Sequence, residues 1–259
     1  MARNIINRSR FSFSVVALGL AAISLGGLVN NPVKAQDTRP AISIVSMEIP
    51  KAYTPAGDGV YNHVFDELTK GYSGPINVSF YPSARYNRIM TSRGGDCDYI
   101  ATDNLARWQS QGIMPDELEF IGPINQLHVV AYVPIDAADI QSPQELVGLN
   151  LASDVNLLEI IHGFGIKETF ALQSQPQMLN LLAVKRIEAL VGYDFDLDFL
   201  SREMDLADKV KKASVRLRTV NDGMVCFKTE HTKEFRSHVK GRFKTLNESG
   251  WLAEAFADY

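Results

Sequence analysis

Hydrophobic spacing divides the chain into alternating stretches of strand and helix period. Ile42-Ser-Ile-Val-Ser-Met47 alternates and is rich in β-formers, which predicts a first strand. The stretch that follows, up to Gly59, is crowded with turn residues. Val60, Val64, Phe65 and Leu68 then mark one face of a helix that stops at Gly71. Gly74-Pro75 introduces a second strand over residues 76–80, and Pro82 opens a second helix. This βαβαβ order predicts a parallel sheet covered by helices.

One pattern is written twice. Arg88-Ile-Met-Thr-Ser-Arg-Gly-Gly-Asp-Cys-Asp-Tyr-Ile-Ala-Thr-Asp103 and Asn180-Leu-Leu-Ala-Val-Lys-Arg-Ile-Glu-Ala-Leu-Val-Gly-Tyr-Asp194 share a plan. Each has helical apolar spacing, basic residues at the helix end, an acid, a short apolar run and a polar loop ending in Asp. Basic residues suit the carbonyl end of a helix dipole. The runs at 99–101 and 189–191 are short enough for buried parallel strands. Two copies predict two similar α/β lobes with a cleft between them, because loops after parallel strands are where open α/β sheets bind ligands.

The remaining pattern fills in the order. Residues 105–118 are broken by Gly112 and Pro115 and give no clear element. Residues 120–123 and 127–133 look extended. Pro134 and the polar residues after it change the character of the chain, which places the crossing out of the first lobe there. Ser142-Pro-Gln-Glu145 reads as a helix start. Residues 148–152 read as a strand, and Ser153-Asp-Val-Asn156 heads a further helix. Residues 215–220 alternate, residues 224–229 form another strand, and two helices close the chain. Phe235, Val239, Phe243 and Leu246 line the first of these, and Trp251, Leu252, Ala255 and Phe256 the second.

Composition changes this picture at the N-terminus. Arg3, Arg8 and Arg10 precede an apolar stretch over 11–29, and Val33-Lys-Ala35 offers a cleavage site. Residues 1–35 are therefore expected to be a cleaved signal peptide, with the protein delivered to the periplasm. The whole chain carries 26 Lys and Arg against 30 Asp and Glu; without that segment's four basic residues the formal charge falls to −8. Such a balance gives no electrostatic reason to bind nucleic acid. Cys97 and Cys226 both lie in apolar runs, as a disulfide of an exported protein or as two buried thiols.

Catalytic patterns are poor. His63, His128, His162, His231 and His238 have no metal-ligand spacing, and no nucleophile elbow or phosphate-cradling loop is present. Asp194-Phe-Asp-Leu-Asp198 reads as an acidic helix start rather than a cation site. No metal, no cofactor and no enzymatic activity are expected.

Several segments together resemble the bacterial extracellular solute-binding proteins of family 3, the amino-acid-type receptors of ABC importers. Gly57-Asp-Gly-Val-Tyr-Asn-His-Val-Phe-Asp-Glu-Leu68 is similar to the family's glycine turn and first helix. Arg88 onward resembles its helix, small-residue turn and Asp-led strand. Ser142-Pro-Gln-Glu-Leu-Val-Gly148 is similar to its passage into the second lobe, Arg186-Ile-Glu-Ala-Leu-Val191 to its Arg-Ile-Asp-Ala strand, and residues 243–259 to its closing helices. The resemblance covers residues 42–259. It implies the two-lobed type II periplasmic-binding-protein fold, an α/β architecture in which each lobe is a mostly parallel sheet flanked by helices. Lobe 1 would comprise 36–134 and 221–259, with lobe 2, 135–220, inserted in it.

The same resemblance implies function. A monomer would close around a small solute, an amino acid or related organic acid, and present it to an ABC permease. The alternatives are an enzyme on the same scaffold, like cyclohexadienyl dehydratase, or a receptor module of a sensor. Positional reasoning selects Glu48, Tyr53, Thr102, Asp103 and Asn104 in the first lobe. In the second it selects Ser153, Asp154, Asn156, Tyr193 and Asp194. Tyr53 would sandwich the solute, Arg107 would grip a carboxylate bidentately, and Asp194 would receive an ammonium group. Ser153 and Asn156 stand where a helix N-terminus could meet an anion.

Overall fold

Strand β1 (Ile42–Met47) forms over the first alternating run in a computed structural model of the chain. The described residues are 39–257, without 110, 111, 169 and 173 and without the side chains of 83, 84, 106 and 107. The expected signal peptide, 1–35, lies outside them. Helix α1 (Val60–Thr69) buries Val64, Phe65 and Leu68 as its spacing predicts, with Tyr61 fully buried and Val60 only half-buried. Strand β2 (Ile76–Tyr81), helix α2 (Ser83–Thr91) and strand β3 (Cys97–Thr102) follow. Both β2 and β3 pair with β1 in parallel, completing the βαβαβ unit.

The helical turn α3 (Ala106–Gln109) leads to the long strand β4 (Leu118–Pro134). The second half brings strand β5 (Leu151–Asp154), helix α4 (Leu158–Gly163), strand β6 (Phe170–Leu172), helix α5 (Gln175–Ala183), strand β7 (Ala189–Tyr193) and helix α6 (Asp194–Glu203). A second long strand, β8 (Val210–Phe227), returns the chain to helices α7 (Glu230–Glu248) and α8 (Trp251–Ala255). One sheet of eight strands runs through both halves in the order β2-β1-β3-β8-β4-β7-β5-β6.

The long strands exchange places along their length. Residues 222–226 of β8 lie between β3 and β4, so they are covered on both sides and all buried, Asp222 leading into the apolar run 223–226. Upstream, β8 pairs with β4 alone and its burial alternates. The exposed positions there include Lys212, Arg216 and Arg218, charges that discourage edge pairing. Strand β4 behaves in the opposite way, edge-like near Leu118 and enclosed by β7 and β8 over 129–132.

Packing divides accordingly. Ile42, Ile44, Tyr99, Met224 and Phe235 share one core, whereas Val129, Ala131 and Val133 pack with Leu151, Val191 and Val215 in another. Between the part of β4 in the first core and the part in the second, the β4–β8 register skips from Ile121–Met224 to Asn125–Asp222. A side chain is excluded opposite this skip. A Cβ at Gly223 would lie 2.4 Å from the Ile121 carbonyl oxygen.

The repeated sequence plan is a repeated structure. Helices α2 and α5 both end in a Schellman cap: Gly94 and Arg186 donate to the carbonyls of Ile89 and Leu181, and Arg93 and Lys185 to those of Met90 and Leu182. Arg93 and Lys185 both take φ of 56°, the left-handed region that glycine occupies at lower cost. The acid of each copy then ties its strand to the next. Asp96 accepts from the Ser43 N–H and Glu188 from the Asn150 N–H, at 2.8 Å in both cases.

Cys97 and Cys226 are opposite each other on β3 and β8 and form a disulfide. The bond spans 129 positions of sequence, so its loss should cost about 2–5 kcal/mol. Urea denaturation of Cys97→Ala/Cys226→Ala against the oxidised protein is expected to show that difference. Lys185→Gly should instead raise stability by about 0.5–1 kcal/mol by relieving the positive φ, read as a higher urea midpoint.

Candidate functional site

The parallel strands of both halves end at one cavity of about 580 Å³. Its first wall is the end of β1 with Glu48, Ile49 and Pro50, joined by Tyr81 and Thr102 at the ends of β2 and β3. Its second wall is Asp154 at the end of β5, Ser174 and Gln175 at the start of α5, and Tyr193, Phe195 and Asp196 where β7 passes into α6. Leu127 and Asp222 of the crossing strands form its floor. The volume suits a small organic ligand.

Aromatic contacts close one side. Phe195, from the first turn of α6, lies 5.9 Å from the Tyr61 ring and 5.7 Å from Phe256, and Tyr61 lies 4.9 Å from Phe256. A side chain of the second half thus packs against the first core across the cleft.

Two buried acids mark the cavity. Asp222 accepts from the Tyr61 hydroxyl through Oδ2 and from the Asn125 N–H through Oδ1, and the Asn125 side chain reaches the same hydroxyl at 3.3 Å. Burial pushes the Asp222 carboxyl up to about 7, partly offset by the Tyr61 and Asn125 bonds. Asp196 accepts from Gln175 Nε2 at 3.2 Å. Burial raises it to about 6, with Asp154 and Asp194 adding to the rise. Asp154 is also raised by burial, while it holds Asn156 through its own Oδ1. The Tyr61 hydroxyl is pushed well up, by burial first and by the Asp222 charge second.

Five residues selected from sequence, Glu48, Thr102, Asp154, Asn156 and Tyr193, meet at this cavity. Asn104 lines a smaller adjoining pocket with Thr102, Asn156 and Tyr193. Tyr53 does not face the cleft: it is 1 % exposed and packs on Phe80 and Tyr99 in the first core. Its inward course follows from a tight reversal in which Ile49 and Tyr53 exchange backbone bonds. Ser153 is buried in β5, its hydroxyl donating to the Asp154 carbonyl at 3.2 Å. Arg107 stands on α3, and its side chain lies outside the described residues.

Asp103 and Asp194 occupy matching ends of the repeated plan and turn toward the crossing strands. Asp103 accepts from the backbone and side chain of Asn221 on β8, and Asp194 from the His128 N–H on β4 at 2.9 Å. Tyr61, Phe195, Asp196 and Asp222 are the site residues that sequence reasoning passed over. Asp222 sits in Val-Asn-Asp-Gly, which reads as a turn, although an acid leading directly into an apolar strand was a usable signal.

No protein-family model matches the chain, and no curated protein matches it in sequence. Solved structures do match it in fold. The GluR0 ligand-binding core from Nostoc punctiforme, in complex with L-glutamate, aligns with a TM-score of 0.70 at 15 % identity, over 85 % of this chain and 99 % of that one. A histidine kinase sensor domain with similarity to periplasmic binding proteins gives 0.69 at 13 %, over 86 % and 97 %. The arginine-, lysine-, histidine-binding protein ArtJ from the thermophilic bacterium Geobacillus stearothermophilus gives 0.68 at 14 %, over 85 % and 95 %. The fold is that of the type II periplasmic binding proteins.

The raised acids set a pH dependence. A carboxyl whose folded pKa lies above its unfolded value contributes most stability below the unfolded value and loses it as pH rises through the folded one. Stability of the free protein should therefore fall between about pH 4, where the unfolded carboxyls ionise, and about pH 7, as Asp196 and Asp222 ionise at about 6 and about 7. Asp196→Asn should flatten the lower part of this fall in melting temperature; an unchanged profile would falsify the assignment.

Proposed function

We propose that this chain is an exported solute receptor that takes a small polar molecule into the cleft at its crossing strands and hands it to an ABC-type importer. The observation that carries this reading is a cavity built from strand ends of both halves and spanned by Phe195. A ligand that touches both walls favours the closed arrangement through contacts made only there. The Cys97–Cys226 bond and the basic-then-apolar N-terminal stretch support an oxidising compartment outside the cytoplasm. Among the described residues no helix is long and apolar enough to cross a membrane; in this reading the receptor is a monomer and the permease a separate chain.

Binding is favoured over catalysis. A decarboxylating elimination of the cyclohexadienyl dehydratase kind needs a placed acid and a carboxylate clamp. Asp196 and Asp222 are acids without a described basic partner on the cavity wall. The experiment is a thermal-shift screen of amino acids, polyamines and small organic acids, in which a binder raises the melting temperature. Prephenate is expected to remain unconverted. Phe195→Ala should weaken the best binder about tenfold by removing the aromatic contact across the cleft, as measured by calorimetry.

A further inference from the structure

We propose that the ligand is an organic amine cation with no carboxylate of its own, seated among the acids and aromatic rings of the cleft. This inference rests on the solute-receptor reading and narrows its ligand class. Glu48, Asp154, Asp196 and Asp222 bring four acidic residues to the cavity, and among the described residues no Lys, Arg or His lines it. Buried acids ordinarily require a cationic partner or a full set of donors. Here the partners are neutral: a Gln175 amide for Asp196, and the Tyr61 hydroxyl and Asn125 N–H for Asp222. Burial without a countercharge is also what raises the two acids described above.

A cation supplied from outside would meet the charge that the fold leaves unpaired, and the faces of Tyr61, Tyr193 and Phe195 would add cation–π attraction. An anionic ligand would enter against like charge. A bare metal ion fits poorly, because no three described His, Cys, Asp or Glu side chains are grouped to hold one, and the cavity is far larger than an ion. Among the described residues, basic side chains stand at the margins. Arg85 stacks on Tyr81 at 5.1 Å, and exposed Arg218 lines the adjoining pocket of about 180 Å³.

Titration calorimetry with matched solutes decides the point: L-lysine against cadaverine, L-arginine against agmatine, and L-glutamate as the anion, at constant ionic strength. Cadaverine or agmatine should bind at least as tightly as its parent amino acid, with no heat from glutamate. Asp196→Asn should weaken the amine tenfold or more, whereas Arg218→Ala should leave it unchanged. Circular dichroism and the melting temperature establish that each variant is folded. An amino acid that binds more tightly than its decarboxylated partner, or measurable glutamate binding, would overturn the cation and leave the receptor reading standing. Absence of binding by every amino acid, amine and organic acid tested would remove both.

Discussion

The structure depends on how two long strands cross. At the crossing, β8 needs a residue without a side chain, because Gly223 passes the Ile121 carbonyl too closely for a Cβ. Beside it sits Asp222, fully buried, with one oxygen on the β4 backbone and the other on a tyrosine of α1. A buried carboxyl held by neutral donors is a demanding arrangement, since each missing bond would cost about 1–3 kcal/mol. It fixes the relative position of β4, β8 and α1 at the point where the first core ends and the second begins. The cavity is the space directly above this point.

The two halves are built on one local solution. A helix ends in a left-handed residue, an acid three residues on bonds the start of the neighbouring parallel strand, and the strand ends at an Asp that braces a crossing strand. Arg93, Asp96 and Asp103 perform these tasks in the first copy, and Lys185, Glu188 and Asp194 in the second. The pattern of basic residue, acid and terminal Asp is thus architectural. It places the strand ends at the cleft and leaves the cavity wall to neighbours of the braces, Thr102 in one half and Tyr193, Phe195 and Asp196 in the other.

That distinction explains which features could be read from residues alone. Periodicity located β1 and α1, where each side chain's exposure follows directly from its place in the repeat. Strand position and the repeat together located the cavity walls at Glu48, Thr102, Asp154, Asn156 and Tyr193. They did not separate bracing from cavity-lining acids, because Asp194 and Asp196 lie in the same helical turn and differ only in direction. The long strands were harder to see. Gly122-Pro123 breaks the apolar run of β4, and exposed charges alternate through the upstream part of β8, so each continuous strand resembled two pieces. Tyr53 was misplaced because a tight backbone reversal, invisible in composition, turns it into the core.

The exchange of places between β4 and β8 also bears on the order in which the molecule can be completed. Residues 127–220 are contiguous and carry both strands, the helices and the core of their half. The earlier segment, β1 to β3, lacks its neighbour until Asp222–Cys226 of β8 is added. Contacts of such long sequence separation form late. Strands β1 to β3 are therefore made before the strand that seals them, and their sheet edge stays open until β8 arrives.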